Sequence, residues 1–340
     1  MNEGEPGLDV LDGGDDGAGP VRKRNPLRWA LLALAGAVVL LLVVVGFYAV
    51  RGIQALNEVR RDPDLMPDYQ GRPTAAEPEA PSPPVNFVLI GSDTRGGERG
   101  RSDVLMIAHL NSERDQLYLV SFPRDLYVPI PGHGKNKINA AYSLGGPALT
   151  VRTLENLLDV PMDHTALIDF EGFIGLSDAV GGVTIFNEVD SASAGYDFPR
   201  GELTLSGDKL LAYVRERYDL PRGDLDRAAR QRAVVKALVL KLARPSTLAN
   251  PVAFNEVAAR IGRYFTVDDR LDNAAVWSLA TSLQLRGGDG IRQIEAPISG
   301  FGRSPQGASI DIVDGKRMAE LARLLRADEL GTYWDRYGED

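Results

Sequence analysis

Cysteine is absent from the 340 residues, which excludes disulfides, thiolate zinc sites and cysteine nucleophiles. Histidine is scarce. His109, His133 and His164 stand far apart without metal-ligand spacing, and each reads as a satisfied core or loop histidine. Neither a Walker A pattern nor a dinucleotide glycine fingerprint occurs, since "GHGKNK" has the spacing of neither. Ser92 lies in no G-x-S-x-G elbow. Aromatics make up 7% of the chain and form no basic-aromatic stripe of the kind that single-stranded nucleic acid requires. No internal repeat is visible. What remains is an acidic chain of net charge -9 with 44% hydrophobic residues, enough for one substantial core plus appendages.

The appendages come first. Residues 1–28 open on twenty positions with six acids and no base and read as a disordered cytoplasmic tail. Residues 29–50, "WALLALAGAVVLLLVVVGFYAV", carry no charge and as a helix reach about 30 Å, so they read as a transmembrane helix. The run exceeds the hydrophobic region of a cleaved signal peptide. Arg22, Lys23, Arg24 and Arg28 crowd its N-terminal side while Arg51 alone follows it. The expected topology is single-pass in the cell membrane, N-terminus cytoplasmic, remainder extracytoplasmic. Residues 51–84 end in "GRPTAAEPEAPSPP" and read as a Pro-rich linker.

From residue 85 to about 330 the pattern is globular. "VNFVLIGSD", "DVLMIAHLN" and "QLYLVSFPRD" are apolar runs ending in polar or turn residues, as buried strands do. "GPALTVRTLENLLD", "DLDRAARQRAVVKALVLKLA" and "VWSLATSLQLR" carry helical period. Their alternation predicts one α/β domain with a sheet covered on both faces.

Against the acidic background, "VRERYDLPRGDLDRAARQR" (214–232) holds six arginines. Arg215 and Arg217 are two apart and point the same way if extended. Pro221 and Gly223 break the chain, and a helix starting near Asp224 puts Asp224, Arg227 and Gln231 on one face at its N-terminal end. Guanidinium groups at a helix start suit a phosphate or diphosphate; a solvated face of intrahelical ion pairs is the alternative. Asp93 closes one predicted strand and Asp103 opens the next, so neighbouring strands bring two carboxylates to one sheet edge, suited to Mg2+ with phosphate and water, or to Mn2+ in its place. Arg101, Arg124 and Lys137 lie on loops at strand ends, where open α/β sheets place ligands.

In this order, "GSDTRGGERGRSD", "SFPRD", "KINAAYSLGG", "FEGFIGLSDAVGGV" and "AYVRERYDLPRGDLDRAARQR" resemble the LytR-CpsA-Psr proteins of bacterial envelopes over about residues 85–245, and more loosely to about 327. The resemblance implies a single domain with a central mixed β-sheet between helical layers and an apolar pocket for a polyprenyl chain. It implies transfer of a glycopolymer from a polyprenyl-pyrophosphate carrier to peptidoglycan, at the muramoyl 6-hydroxyl, through a phosphodiester. By motif, Asp93 and Asp103 hold the metal. Arg101, Arg124, Lys137, Arg215, Arg217, Asp224, Arg227 and Gln231 bind the pyrophosphate, and Asp93, Arg124 and Arg227 are the catalytic candidates. A pyrophosphatase and a non-catalytic envelope sensor are the rival functions; nucleic acid is no expected partner.

Overall fold

A computed structural model of the chain describes residues 59–74, 82–92, 100, 102–242, 265–285 and 287–338. The tail at 1–28 and the apolar stretch at 29–50 lie outside these residues, and among the described residues no helix is long and apolar enough to cross a membrane.

The elements run β1 (Arg60–Arg61), β2 (Val85–Ser92), β3 (Ser102–Leu110), β4 (Leu117–Ser121), β5 (Tyr127–Ile130), β6 (Gly134–Lys137), α1 (Ala140–Leu158), β7 (His164–Asp169) and α2 (Phe170–Ala179). Then follow β8 (Val183–Asn187), β9 (Ser191–Ser193), β10 (Tyr196–Phe198), β11 (Gly201–Leu205), α3 (Gly207–Arg215) and α4 (Asp224–Leu242). The last are β12 (Phe265–Val267), α5 (Asn273–Ser282), β13 (Ile291–Glu295), β14 (Ile298–Arg303), β15 (Ser309–Val313), α6 (Gly315–Arg326) and α7 (Leu330–Tyr337). Among the described residues the central sheet has seven strands in the order β1-β12-β7-β2-β3-β4-β13. It is mixed: β1 with β12, β7 with β2 and β4 with β13 are parallel, and the other neighbours antiparallel.

The strands form where the period of two divides apolar side chains between two faces. On one face Val88, Ile90, Ile107 and Val120 pack against Val151, Leu154 and Leu158 of α1 and Met318, Leu321 and Leu325 of α6. Each such fully buried side chain contributes about 1.5–3 kcal/mol. On the other face Ala108, Leu119 and Ile291 meet Val235 and Val239 of α4, with Phe87 and Leu89 only half-buried. Helical cover on both faces matches the expected α/β layers. Helix α1 starts earlier than its period predicts, because Gly146 takes φ 71° inside it and Pro147 restarts the turn.

The domain begins before the boundary expected at residue 85. Arg60 and Arg61 pair with Thr266 and Val267 at the sheet edge, and Leu65 and Met66 are buried. The prolines near residue 80 extended the expected spacer too far into the domain. A charged anchor fixes this segment: Glu155 of α1, wholly buried, accepts hydrogen bonds from Tyr69 Oη (3.0 Å), Arg72 Nε (2.9 Å), Arg72 Nη2 (2.7 Å) and the Met162 N–H (2.9 Å). Burial, and then Glu155, push the Tyr69 phenol up to about 12. Removing one partner strands the other's charge in the core. Arg72→Ala should therefore lower unfolding free energy by about 3 kcal/mol in urea titrations, whereas truncation of an exposed arginine such as Arg303 should change it by less than about 0.5 kcal/mol.

Candidate active site

The ends of β2, β4, β7 and β13 and the start of β3 share one sheet edge, as the pairs Ser92–Ser102, Ser92–Asp169, Met106–Ser121 and Glu295–Ser121 require. Arg124 sits just past β4, in a loop held by Leu126 N–H to Pro123 O (3.0 Å) and Asn139 N–H to Arg124 O (3.2 Å). Buried Phe122 and Leu126 pin that loop on either side. Across from it α4 begins at Asp224, after Gly223 with φ 55° turns the chain in the left-handed region.

Asp224 is the hub. Its Oδ2 lies 2.6 Å from Arg124 Nε and 2.9 Å from Arg227 Nη2, and its Oδ1 lies 3.5 Å from Arg217 Nη1. Arg124 also reaches Asp103 Oδ1 at 3.2 Å, and Lys137 pairs with Asp125 Oδ1 at 2.9 Å. Burial pulls the Arg227 guanidinium below its ordinary pKa while Asp224 pulls it back up. Nε of Arg227 is a buried donor without a hydrogen-bond acceptor among the described residues. A cavity of about 510 Å³ opens here, lined by Arg124, Asp125, Asn136, Lys137, Asn139 and Arg217 among others. Part-buried cations gathered beside a cavity are suited to an anion.

Arg217 is presented by Glu216, a buried carboxylate at the end of α3 that accepts the N–H groups of Arg217 (2.7 Å), Tyr218 (2.5 Å) and Asp219 (3.0 Å). Burial raises the Glu216 pKa, but these bonds outweigh it and leave it depressed. Tyr218 Oη in turn accepts from Arg217 Nη2 at 2.7 Å.

Of the residues expected from the sequence, the structure brings together Asp103, Arg124, Lys137, Arg217, Asp224 and Arg227. Arg215 is the last residue of α3, exposed and helical, so it is not aligned with Arg217 along an extended chain. Gln231 shares the Asp224–Arg227 face but gives Nε2 to the Val214 carbonyl (3.2 Å), a bond that ties α4 to α3. Asp93 and Arg101 lie outside the described residues. Among the described residues no group of three or more His, Asp or Glu is placed to hold a metal.

Three acids of the site were not singled out in the sequence: Asp125, Glu216 and Asp311. Asp311 of β15 is 7% exposed, and its N–H donates to the Asp125 carbonyl at 2.9 Å. Burial, then Asp125 and Asp224, raise its carboxyl to about 6. His109 is buried between Asn86 Oδ1 (2.7 Å) and Asp328 Oδ1 (2.8 Å), and His164 pairs with Asp268, so both are the structural histidines expected. A second cavity of about 670 Å³ flanks α4 on the side of β8. Its Arg230 is engaged by Asn187, the Val189 carbonyl and Ser191, and its Lys241 by the Gly181 and Gly182 carbonyls.

Comparison with known proteins identifies the family. The sequence model of the LytR_cpsA_psr family matches residues 60–327. The polyisoprenyl-teichoic acid–peptidoglycan teichoic acid transferase TagU of Bacillus cereus (strain AH820) is 36% identical over 241 residues, 70% of this chain and 77% of that relative. The crystal structure of B. subtilis TagV superposes with a TM-score of 0.64 at 27% identity, covering 73% of this chain and 98% of that one. A structure of TagT bound to LI-WTA superposes with a TM-score of 0.63 at 25% identity, covering 77% and 98%.

The raised Asp311 carboxyl has a consequence for stability. Between about pH 4, where an unfolded aspartate titrates, and pH 6 the folded chain holds a proton that the unfolded chain has lost. Its contribution is present below pH 4 and disappears as pH rises through 6. Asp311→Asn, which cannot ionise, should stabilise the protein by roughly 2 kcal/mol at pH 7.5 and by nothing at pH 4, read as the difference in thermal midpoints at the two pH values.

Proposed function

The chain belongs to the LytR_cpsA_psr family, and we propose that it transfers a cell-wall glycopolymer from a polyprenyl diphosphate carrier to peptidoglycan, at a muramoyl 6-hydroxyl. The observation that carries this reading is the convergence of Arg124, Arg217 and Arg227 on Asp224 beside the cavity, with the buried Nε of Arg227 given no acceptor by the described residues.

In the reaction the acceptor oxygen bonds to the phosphorus bearing the glycan, and the bridging P–O bond breaks. Polyprenyl phosphate leaves with the bond's electron pair, and the acceptor proton departs. Negative charge grows on the leaving phosphate, which Arg124, Arg217, Arg227 and Lys137 stand ready to neutralise without reorganising. Arg101 joins them by motif. Asp93 and Asp103 would hold Mg2+, or Mn2+, and Asp93 is the candidate base. Asp103, half-buried with one oxygen on Arg124, fits an ion that takes few protein carboxylates and fills its shell from phosphate and water. Such an ion supplies further neutralisation of the diphosphate. The half-buried Phe87 and Leu89 on the sheet face under α4 support a place for the prenyl chain. A membrane anchor at 29–50 would confine enzyme and lipid-linked substrate to one plane and raise their effective concentration.

Arg227→Ala should lower kcat/KM by at least about 100-fold, and a chelator should abolish turnover, in an assay that supplies lipid-linked polymer and peptidoglycan and resolves both products. Polymer released free, with no adduct on peptidoglycan, would make the protein a pyrophosphatase. Unchanged activity in the variant would place the chemistry elsewhere.

A further inference from the structure

We propose that Asp311 is a further affinity-determining residue of this site: its carboxyl is ionised in the ligand-free enzyme and takes up a proton when the diphosphate binds. The proposal rests on the transferase reading above and adds to it a group that the motifs do not contain.

The geometry fixes Asp311 where it is. Its N–H is held by the Asp125 carbonyl at 2.9 Å, it bridges to Leu126 in the loop that carries Arg124, and β14 meets it with Phe301. The residue is 7% exposed, and no described residue donates a hydrogen bond to its carboxyl. The charged groups acting on it come from every side: Asp125 from the loop after β4, Lys137 from β6, Asp224 from the start of α4 and Glu295 from β13. Three of these four are acids.

Charge balance supplies the direction. The described site sets Arg124, Lys137, Arg217 and Arg227 against Asp103, Asp125, Glu216, Asp224 and Asp311, so with every carboxyl ionised it has no surplus of positive charge. A prenyl diphosphate diester brings about two more negative charges into the same enclosure. Of these acids, Asp311 alone has no donor among the described residues, whereas Asp103, Asp125 and Asp224 are each paired with a cation. Its carboxyl already stands at about 6, so a modest further push carries it past neutral pH. Protonation removes the repulsion at its source, and the proton comes from solvent.

The test is calorimetric titration of the full chain in detergent with farnesyl diphosphate near pH 7, in two buffers of different ionisation enthalpy. The wild type should take up about half a proton or more per ligand beyond Asp311→Asn, because the ligand's own titration is common to both proteins. The variant should bind several-fold more tightly at pH 7.5. From pH 6 to 8 the wild-type affinity should fall relative to the variant by up to about tenfold per pH unit. Equal proton uptake and parallel pH profiles in the two proteins would overturn the role of Asp311 and leave the diphosphate site standing. Binding of farnesyl diphosphate by neither protein, each showing a cooperative melt, would overturn the site itself.

Discussion

One carboxylate lets three guanidinium groups occupy a single corner of this fold. Two unit charges 5 Å apart repel by about 3 kcal/mol at an effective dielectric of 20, so Arg124, Arg217 and Arg227 would drive one another apart without Asp224 between them. They arrive from three separate pieces of chain: the loop after β4, the loop after α3 and the first turns of α4. The ion pairs therefore do more than balance charge. They fix the distance between the sheet edge and the helix start, and with it the shape of the cavity. Glu216 acts one step further out, fastening the backbone from which Arg217 reaches in.

Asp224 also explains how such a site rests without its substrate. A cluster of bare buried cations would destabilise the domain, whereas a carboxylate at a helix N-terminus is itself favoured by the helix dipole. In the transferase reading, the incoming diphosphate offers the same guanidinium groups more oxygens in the same place. Asp224 takes Nη2 of Arg227 and leaves its buried Nε unsatisfied, a donor that an oxygen-rich ligand can use.

Much of this was legible in the sequence, for reasons that are local. Strands β2, β3 and β4 announce themselves because both of their faces are apolar, and "SFPRD" places Arg124 at a strand end without any knowledge of the pairing. Asp224 and Arg227 are found by helical spacing after a Pro-Gly break. The extended alignment of Arg215 with Arg217 failed because α3 runs through Arg215. Gln231 has the right face, yet its amide serves α3, and only the packing of two helices decides that. β1 is too short for any pattern to show, and it is held by β12, about 200 residues away. Asp311 was illegible for the same reason: alternation in "SIDIV" says strand, while the acids that crowd it belong to β13, α4 and a loop far off in the chain.

An acidic protein that receives an acidic ligand looks like a contradiction, and the range of the forces resolves it. At physiological ionic strength charges separated by more than about 8 Å are largely screened, so the net charge of -9 describes the surface and hardly reaches the cavity. In the transferase reading, what a diphosphate meets on entering the cavity is Arg124, Lys137 and Arg217, with Arg227 just behind them on Asp224. Long-range attraction would have little to add if substrate and enzyme share a membrane plane, since encounter is then set by confinement. The composition of the chain is thus free to be acidic, provided that the local count of charge at the sheet edge is kept near zero before the ligand arrives.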